Sequence, residues 1–191
     1  MGRVEVHGRR TLLDRFFRVE EVDLSHERPD GSMGPPLTRL NVDRGDGAAV
    51  VLHDPERRVV VLVRQFRFSA WENGPGWLHE LVAGTVARGQ DPEDVARAEC
   101  LEEAGYEVDR LEPIGTFYLT PGGSSERIFL YYAPVNAGRR RGPGGGLAEE
   151  GESIEVLEWP EEEVWAALDA GRIADAKSLV GLMWLRRRLF S

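Results

Sequence analysis

A single cysteine, Cys100, stands in a chain of 191 residues. One thiol excludes an intramolecular disulfide framework and any zinc site built on several cysteines. Histidines are also scarce: His7, His26, His53 and His79 are far apart and show no metal-ligand spacing. No run approaches the roughly 18–20 consecutive apolar residues that cross a bilayer, so no membrane partner is expected. The opening Met1-Gly2-Arg3-Val4-Glu5 lacks the apolar stretch of a secretion signal, and a reducing cytoplasm is the expected compartment. Positive charge is short as well. Lys and Arg total 24 against 33 Asp and Glu, a formal net charge of −9. That balance argues against a nucleic-acid coat, because binding a phosphate backbone needs a basic surplus. It leaves room for a small phosphorylated ligand, since carboxylates can hold metal ions that in turn meet phosphates.

What is present suffices for one domain, or one domain with a small appendage: 41% of the residues are hydrophobic and 30% charged. The first part reads as strands. Val4–His7 and Leu12–Leu24 are β-like, Pro29-Asp30-Gly31-Ser32 signals a turn, and Leu37–Val42 is the return strand, so residues 11–43 predict a hairpin. Val59-Val60-Val61-Leu62-Val63 is apolar without alternation, as in a strand buried on both faces. Further strands are expected at Gly47–Leu52, Leu78–Val82, Gly115–Leu119, Ile128–Pro134 and Glu155–Trp159. Asp91-Pro92 opens a helix with an N-cap and a first-turn proline, and Gly105 ends it. Two helices close the chain, near Pro160–Ala170 and Ala174–Phe190. The glycine-rich residues 138–147 read as a mobile loop. This order predicts an α/β protein, an α/β/α sandwich around a mixed β-sheet. Residues 1–43 are expected to form an N-terminal antiparallel hairpin region that serves dimerisation, and residues 44–191 the main domain.

At about 100° per residue, Glu99, Glu102 and Glu103 fall on one face of the helix that follows Pro92, and Cys100, Leu101 and Ala104 on the other. The i, i+3 and i, i+4 spacings bring Glu99 within reach of both other acids. Two readings stand side by side. One is a solvated acidic face. The other is a hard-cation site, carboxylate oxygens for Mg²⁺ or Mn²⁺. The acids sit near the helix's negative C-terminal end and repel one another, with no Lys or Arg four residues on to offset them.

Residues 84–106, from Gly84 through Glu99-Cys100-Leu101-Glu102-Glu103-Ala104-Gly105 to Tyr106, resemble the box of the Nudix hydrolase superfamily, G-x5-E-x7-R-E-U-x-E-E-x-G-U with U apolar. Gly84, Glu99, Glu102, Glu103, Gly105 and Tyr106 are in register. Gln90 replaces the first glutamate and Ala98 the arginine; Glu93 and Arg97 lie nearby but out of register. The segments Arg44–Val50, Val63–Arg67, Glu80–Gly84, Thr120–Arg127 and Ser153–Val156 extend the likeness over residues 36–187. They resemble the branch that hydrolyses ADP-ribose, GDP-mannose and related nucleoside diphosphate sugars.

The resemblance implies a Nudix fold and a metal-dependent pyrophosphatase. By register it implies Glu99 and Glu103 as metal ligands for Mg²⁺ or Mn²⁺, with Glu102 assisting and the Ala83 carbonyl as a further ligand. Glu150 and Glu152 are implied as catalytic groups on a later loop, Glu150 as the base and Glu152 touching a metal. Their alternative is an exposed acidic turn. For substrate binding it implies Arg67 and Glu126, with Arg39 reaching the partner subunit of a homodimer. Phe17 is a candidate for base stacking, or part of the hairpin core. Glu80 is structural or close to the metal. Cys100 has a packing role. The alternative is a Nudix-fold module that binds or senses a nucleotide sugar with little turnover, motivated by Gln90 and Ala98.

Overall fold

The computed structural model describes residues 2–147 and 153–191. It divides into two compact units, Met1–Asp46 with Tyr118–Arg127, and Gly47–Phe117 with Ile128–Ser191.

In the first unit, β1 (Val4–Asp14), β2 (Arg18–His26) and β3 (Leu37–Asp43) form a three-stranded antiparallel sheet. The sequence predicts a hairpin over 11–43; the structure adds a third strand, because residues 4–14 run as one strand and the chain reverses at Arg15–Phe17. Two register shifts, at Val6/Gly8 and Thr11/Leu13, break the alternation that would have marked β1 as one strand. Glu20 is buried on β2 and held by two arginines, Arg9 and Arg18, each 2.7 Å away. Asp46 is gripped by Arg127, whose Nη2 donates to Oδ2 at 2.6 Å.

The second unit is built on a seven-stranded mixed sheet. Its path is β10 (Glu155–Pro160), β5 (Val59–Phe66), β4 (Asp46–Asp54), β9 (Arg127–Pro134) and β8 (Glu112–Tyr118), with β6 (Trp77–Glu80) on β5 and β7 (Val82–Val86) on β4. β4 runs parallel to β9 and antiparallel to β5. Four helices accompany it among the described residues: α1 (Phe68–Trp71), α2 (Pro92–Glu102), α3 (Glu161–Asp169) and α4 (Ala176–Phe190).

The layering follows from the period of two along β4. Ala48, Val50 and Leu52 join Ala96 and Cys100 of α2 in one core. Val51 points the other way, where a Cβ added at Gly181 of α4 would lie 2.8 Å from its Cγ2. Both faces are covered, so β4 and β5 read as continuous apolar runs rather than alternating ones. That is the α/β/α sandwich around a mixed sheet that the order of elements predicts. Among the described residues, no helix is long and apolar enough to cross a membrane.

Candidate active site

The acid-bearing helix forms as its sequence directs. Asp91 Oδ1 accepts the Glu93 N–H at 2.8 Å as N-cap, Pro92 occupies the first position, and Glu93 and Asp94 suit the positive end. Gly105, at φ +75°, terminates it. Cys100 faces the core and is fully buried; burial, followed by the charges of Glu103 and Glu99, pushes its thiol far above the usual range. It packs and carries no nucleophile, as its box position implied.

On the opposite face, two of the three acids meet the first half of β7. Glu103 is buried, and its Oε2 accepts the Ala83 N–H at 3.0 Å. Glu99 lies against Gly84 so closely that a Cβ there would fall 1.8 Å from Oε1. In this position of the carboxylate only glycine fits at residue 84. Glu102 is exposed.

Two hard oxygen donors thus gather beside residues 83–84, and carboxylates suit Mg²⁺ or Mn²⁺ rather than a soft metal. Among the described residues, no group of three or more His, Cys, Asp or Glu side chains is placed to hold a metal ion. The arrangement fits a divalent ion held by Glu99, Glu103 and further oxygens from backbone, water or ligand. Glu150 and Glu152 lie outside the described residues.

Gln90 closes a local turn, its Oε1 accepting from Ala87 N at 2.9 Å, and Ala98 is exposed. Arg97 pairs with Glu93 at 2.5 Å and donates to the carbonyls of Val108 and Asp109. It braces the helix against the following loop.

Beside the acids sits a charge network that sequence reasoning saw only in part. Arg67 forks onto Glu80, Nε to Oε1 at 2.9 Å and Nη2 to Oε2 at 3.0 Å. Lys177 Nζ reaches the same Oε2 at 2.6 Å and Asp175 Oδ2 at 3.1 Å. Burial pushes the Glu80 carboxyl up, but Arg67 and Lys177 outweigh it and hold it below the usual range. Glu103 and Asp175 both act on the Arg67 guanidinium, so the network and the acid helix share one field. Asp175, as N-cap of α4, accepts the Ser178 N–H at 3.0 Å and fixes the turn that carries Lys177. The available signal was composition: Lys177 is the only lysine among 24 basic residues.

Of the other sequence candidates, Phe17 and Glu126 belong to the first unit and meet around Arg44, whose guanidinium lies 5.8 Å from the Phe17 ring centroid and 3.6 Å from Glu126 Oε1. Arg44 was not singled out. Phe17 is exposed rather than hairpin core, and Glu126 is buried. Arg39, exposed on β3, donates to the Thr38 carbonyl at 2.9 Å.

The glycine-rich residues 138–147 are bound to the acid helix. Gly145 N donates to Glu103 O at 2.8 Å, Gly146 N to Glu102 O at 3.2 Å, and Arg141 N to Gly105 O at 2.7 Å. The glycines serve close backbone approach, which composition alone does not separate from flexibility.

The acid helix, Ala83–Gly84 and the charge network around Glu80 all lie in the part of the chain that a known family covers. The NUDIX domain family matches residues 43–179, and the chain belongs to that family as a Nudix pyrophosphatase. It is 37% identical over 184 residues to the ADP-ribose pyrophosphatase of Escherichia coli K12, covering 96% of this chain and 88% of that protein. The ADP-ribose pyrophosphatase of Haemophilus influenzae is 35% identical over 187 residues, covering 96% and 86%. The GDP-mannose pyrophosphatase of Cronobacter sakazakii is 37% identical over 187 residues, covering 97% of this chain and 96% of that one.

Proposed function

We propose that this chain hydrolyses the pyrophosphate bond of a nucleoside diphosphate sugar, ADP-ribose, GDP-mannose or a similar compound, with Mg²⁺ or Mn²⁺. Water adds to one phosphorus, the bridging P–O bond breaks, and a nucleoside monophosphate and a sugar phosphate leave. The observation that carries this is the placement of Glu99 and Glu103 against Ala83–Gly84. The names of the relatives support the substrate class.

Two negative phosphates repel an incoming nucleophile, and a divalent ion, when bound, neutralises them and lowers the pKa of water. Glu99 and Glu103 would hold it, with Glu102 and the Ala83 carbonyl contributing. Glu150 would serve as the base for the attacking water, and Glu152 would offer a further oxygen to the ion. Arg67 and Glu126 bind the ligand, Arg67 by exchanging part of its fork on Glu80 for a phosphate. Phe17 stacks on the base, and Arg39 reaches the site of the second subunit in a homodimer. The exposed Val4, Val6, Leu12, Leu13, Phe16 and Leu40 of the first unit support residues 1–43 as the dimer contact. The reducing cytoplasm is the compartment we assign to it, consistent with a single, buried cysteine.

The test incubates purified protein with Mg²⁺ and a panel of nucleotide sugars and follows monophosphate release. Glu103→Gln should fold normally and lose turnover by more than about a hundredfold, since loss of an outer partner of a metal ligand alone costs about 10- to 100-fold. Binding of the sugars without release by the natural protein would replace the hydrolase with a sensing module.

A further inference from the structure

The last carbonyls of a helix have no partner within it. At the end of α2 every one of them is satisfied. Cys100 O accepts from Tyr106 N at 2.9 Å and Leu101 O from Gly105 N at 3.0 Å. Glu102 O and Glu103 O accept from Gly146 N and Gly145 N, which belong to a segment some forty residues further along the chain.

The segment can approach this closely only through two glycines that face each other. A Cβ at Gly144, φ +71°, would lie 2.3 Å from Glu103 O, and one at Gly105 would lie 2.2 Å from Gly142 O. Arg140 locks the strap from its other side. Its Nη1 donates to Glu158 Oε1 at 3.0 Å and its Nε to Gly142 O at 3.2 Å. Glu158, on β10, also accepts from the buried Tyr106 Oη at 2.7 Å and from Arg57 Nη2 at 2.5 Å. Tyr106 and Arg140 form an antiparallel bridge.

This placement answers a difficulty in the acid helix. Glu102 and Glu103 lie at the negative end of α2, where neighbouring free carbonyls would oppose them and a frayed last turn would let them part. Strap amides occupy those carbonyls and hold the turn.

We propose that residues 140–146, keyed by Arg140 into the Glu158–Tyr106 pair, are a positioning element that holds the last turn of α2 and with it the Glu103 carboxylate in metal-binding geometry. The inference rests on the metal role of Glu103 proposed above. Gly144, Arg140 and Tyr106 touch neither metal nor substrate; they act through the backbone of Glu102 and Glu103.

The experiment measures Mn²⁺ affinity by calorimetry without substrate, then kcat and KM, for the natural protein, Gly144→Ala, Arg140→Gln, Tyr106→Phe and Glu103→Gln. Arg186→Gln, which breaks an exposed pair with Asp169 elsewhere on the surface, is the control for lost ion pairing. Strap variants that melt cooperatively should weaken the Mn²⁺ Kd by about tenfold and lower kcat comparably, with KM little changed; Arg186→Gln should change neither. If Gly144→Ala does not fold, Arg140→Gln and Tyr106→Phe decide. Natural Mn²⁺ affinity and kcat in the folded strap variants, beside a Glu103→Gln that binds poorly, would overturn the positioning role. A Glu103→Gln that binds Mn²⁺ as well as the natural protein would instead refute the metal assignment beneath it.

Discussion

Arg67 and Glu80 share two parallel hydrogen bonds, 2.9 and 3.0 Å long, and Lys177 binds the same carboxylate from the other side. A buried carboxylate is thereby matched by two cations brought from separate elements, β6 supplying the acid and α4 the lysine. Glu80→Gln leaves both cations without it. It should destabilise the protein by about 3 kcal/mol, the low end for breaking a buried pair, because Arg67 is half exposed and Asp175 still faces Lys177. Chemical denaturation checks the value.

The same pair sets a pH dependence. The Glu80 carboxyl is held below its ordinary value of 4.5. A lowered folded pKa stabilises above the unfolded value and is lost as pH falls through the folded one. Melting temperature should therefore drop as pH falls below about 4.5, and the drop should be shallower in Glu80→Gln. Parallel curves for the two proteins would contradict this.

Gly84→Ala tests the seat of Glu99. The added methyl meets the end of a flexible side chain 1.8 Å away, so the carboxylate moves and the fold stays. Stability should change by less than about 1 kcal/mol, while turnover falls by about a hundredfold, the cost of misplacing a working group by an ångström or so. Thermal melts and steady-state kinetics on one preparation separate the two effects.

Gly181→Ala should do the reverse. Its methyl would press on Leu81 Cδ1 at 2.6 Å and Val51 Cγ2 at 2.8 Å in the core between α4 and the sheet. Overpacking of this kind costs about 1–3 kcal/mol. The melting temperature should fall, and turnover below it should be near natural.

Cys100 is fully buried and its thiol is pushed up by burial and by Glu103 and Glu99. A thiol reagent should label it only when the core opens, at the rate of global unfolding. Rapid labelling of the native protein would show that α2 opens locally.

Much of the site was legible because it is local. Asp91-Pro92, Gly105 and the spacing of Glu99, Glu102 and Glu103 are instructions a helix reads within a few residues, and the helix formed where they placed it. Arg67 and Glu80 were visible as residues, but their fork was not, since it joins β6 to the chain just after β5. Lys177 carries no motif; its meaning comes from a contact with a residue 97 positions earlier. Arg44 joins Phe17 to Glu126 in the same way. The hydrogen bonds of residues 138–147 to the end of α2 are not legible in the sequence, because a glycine run has the same composition whether it serves motion or close approach.

The amino-acid sequence by itself determined the order of strands and helices, the two-faced burial of the central strands and the acidic face of α2, because caps, periodicity and apolar runs act through neighbours in the chain. Tertiary structure alone decided which acids turn inward onto Ala83 and Gly84, which cations hold Glu80, and that a glycine strap closes the end of the acid helix. Those outcomes depend on backbone approaches and charge pairings between distant segments, and such distances exist only once the chain has folded.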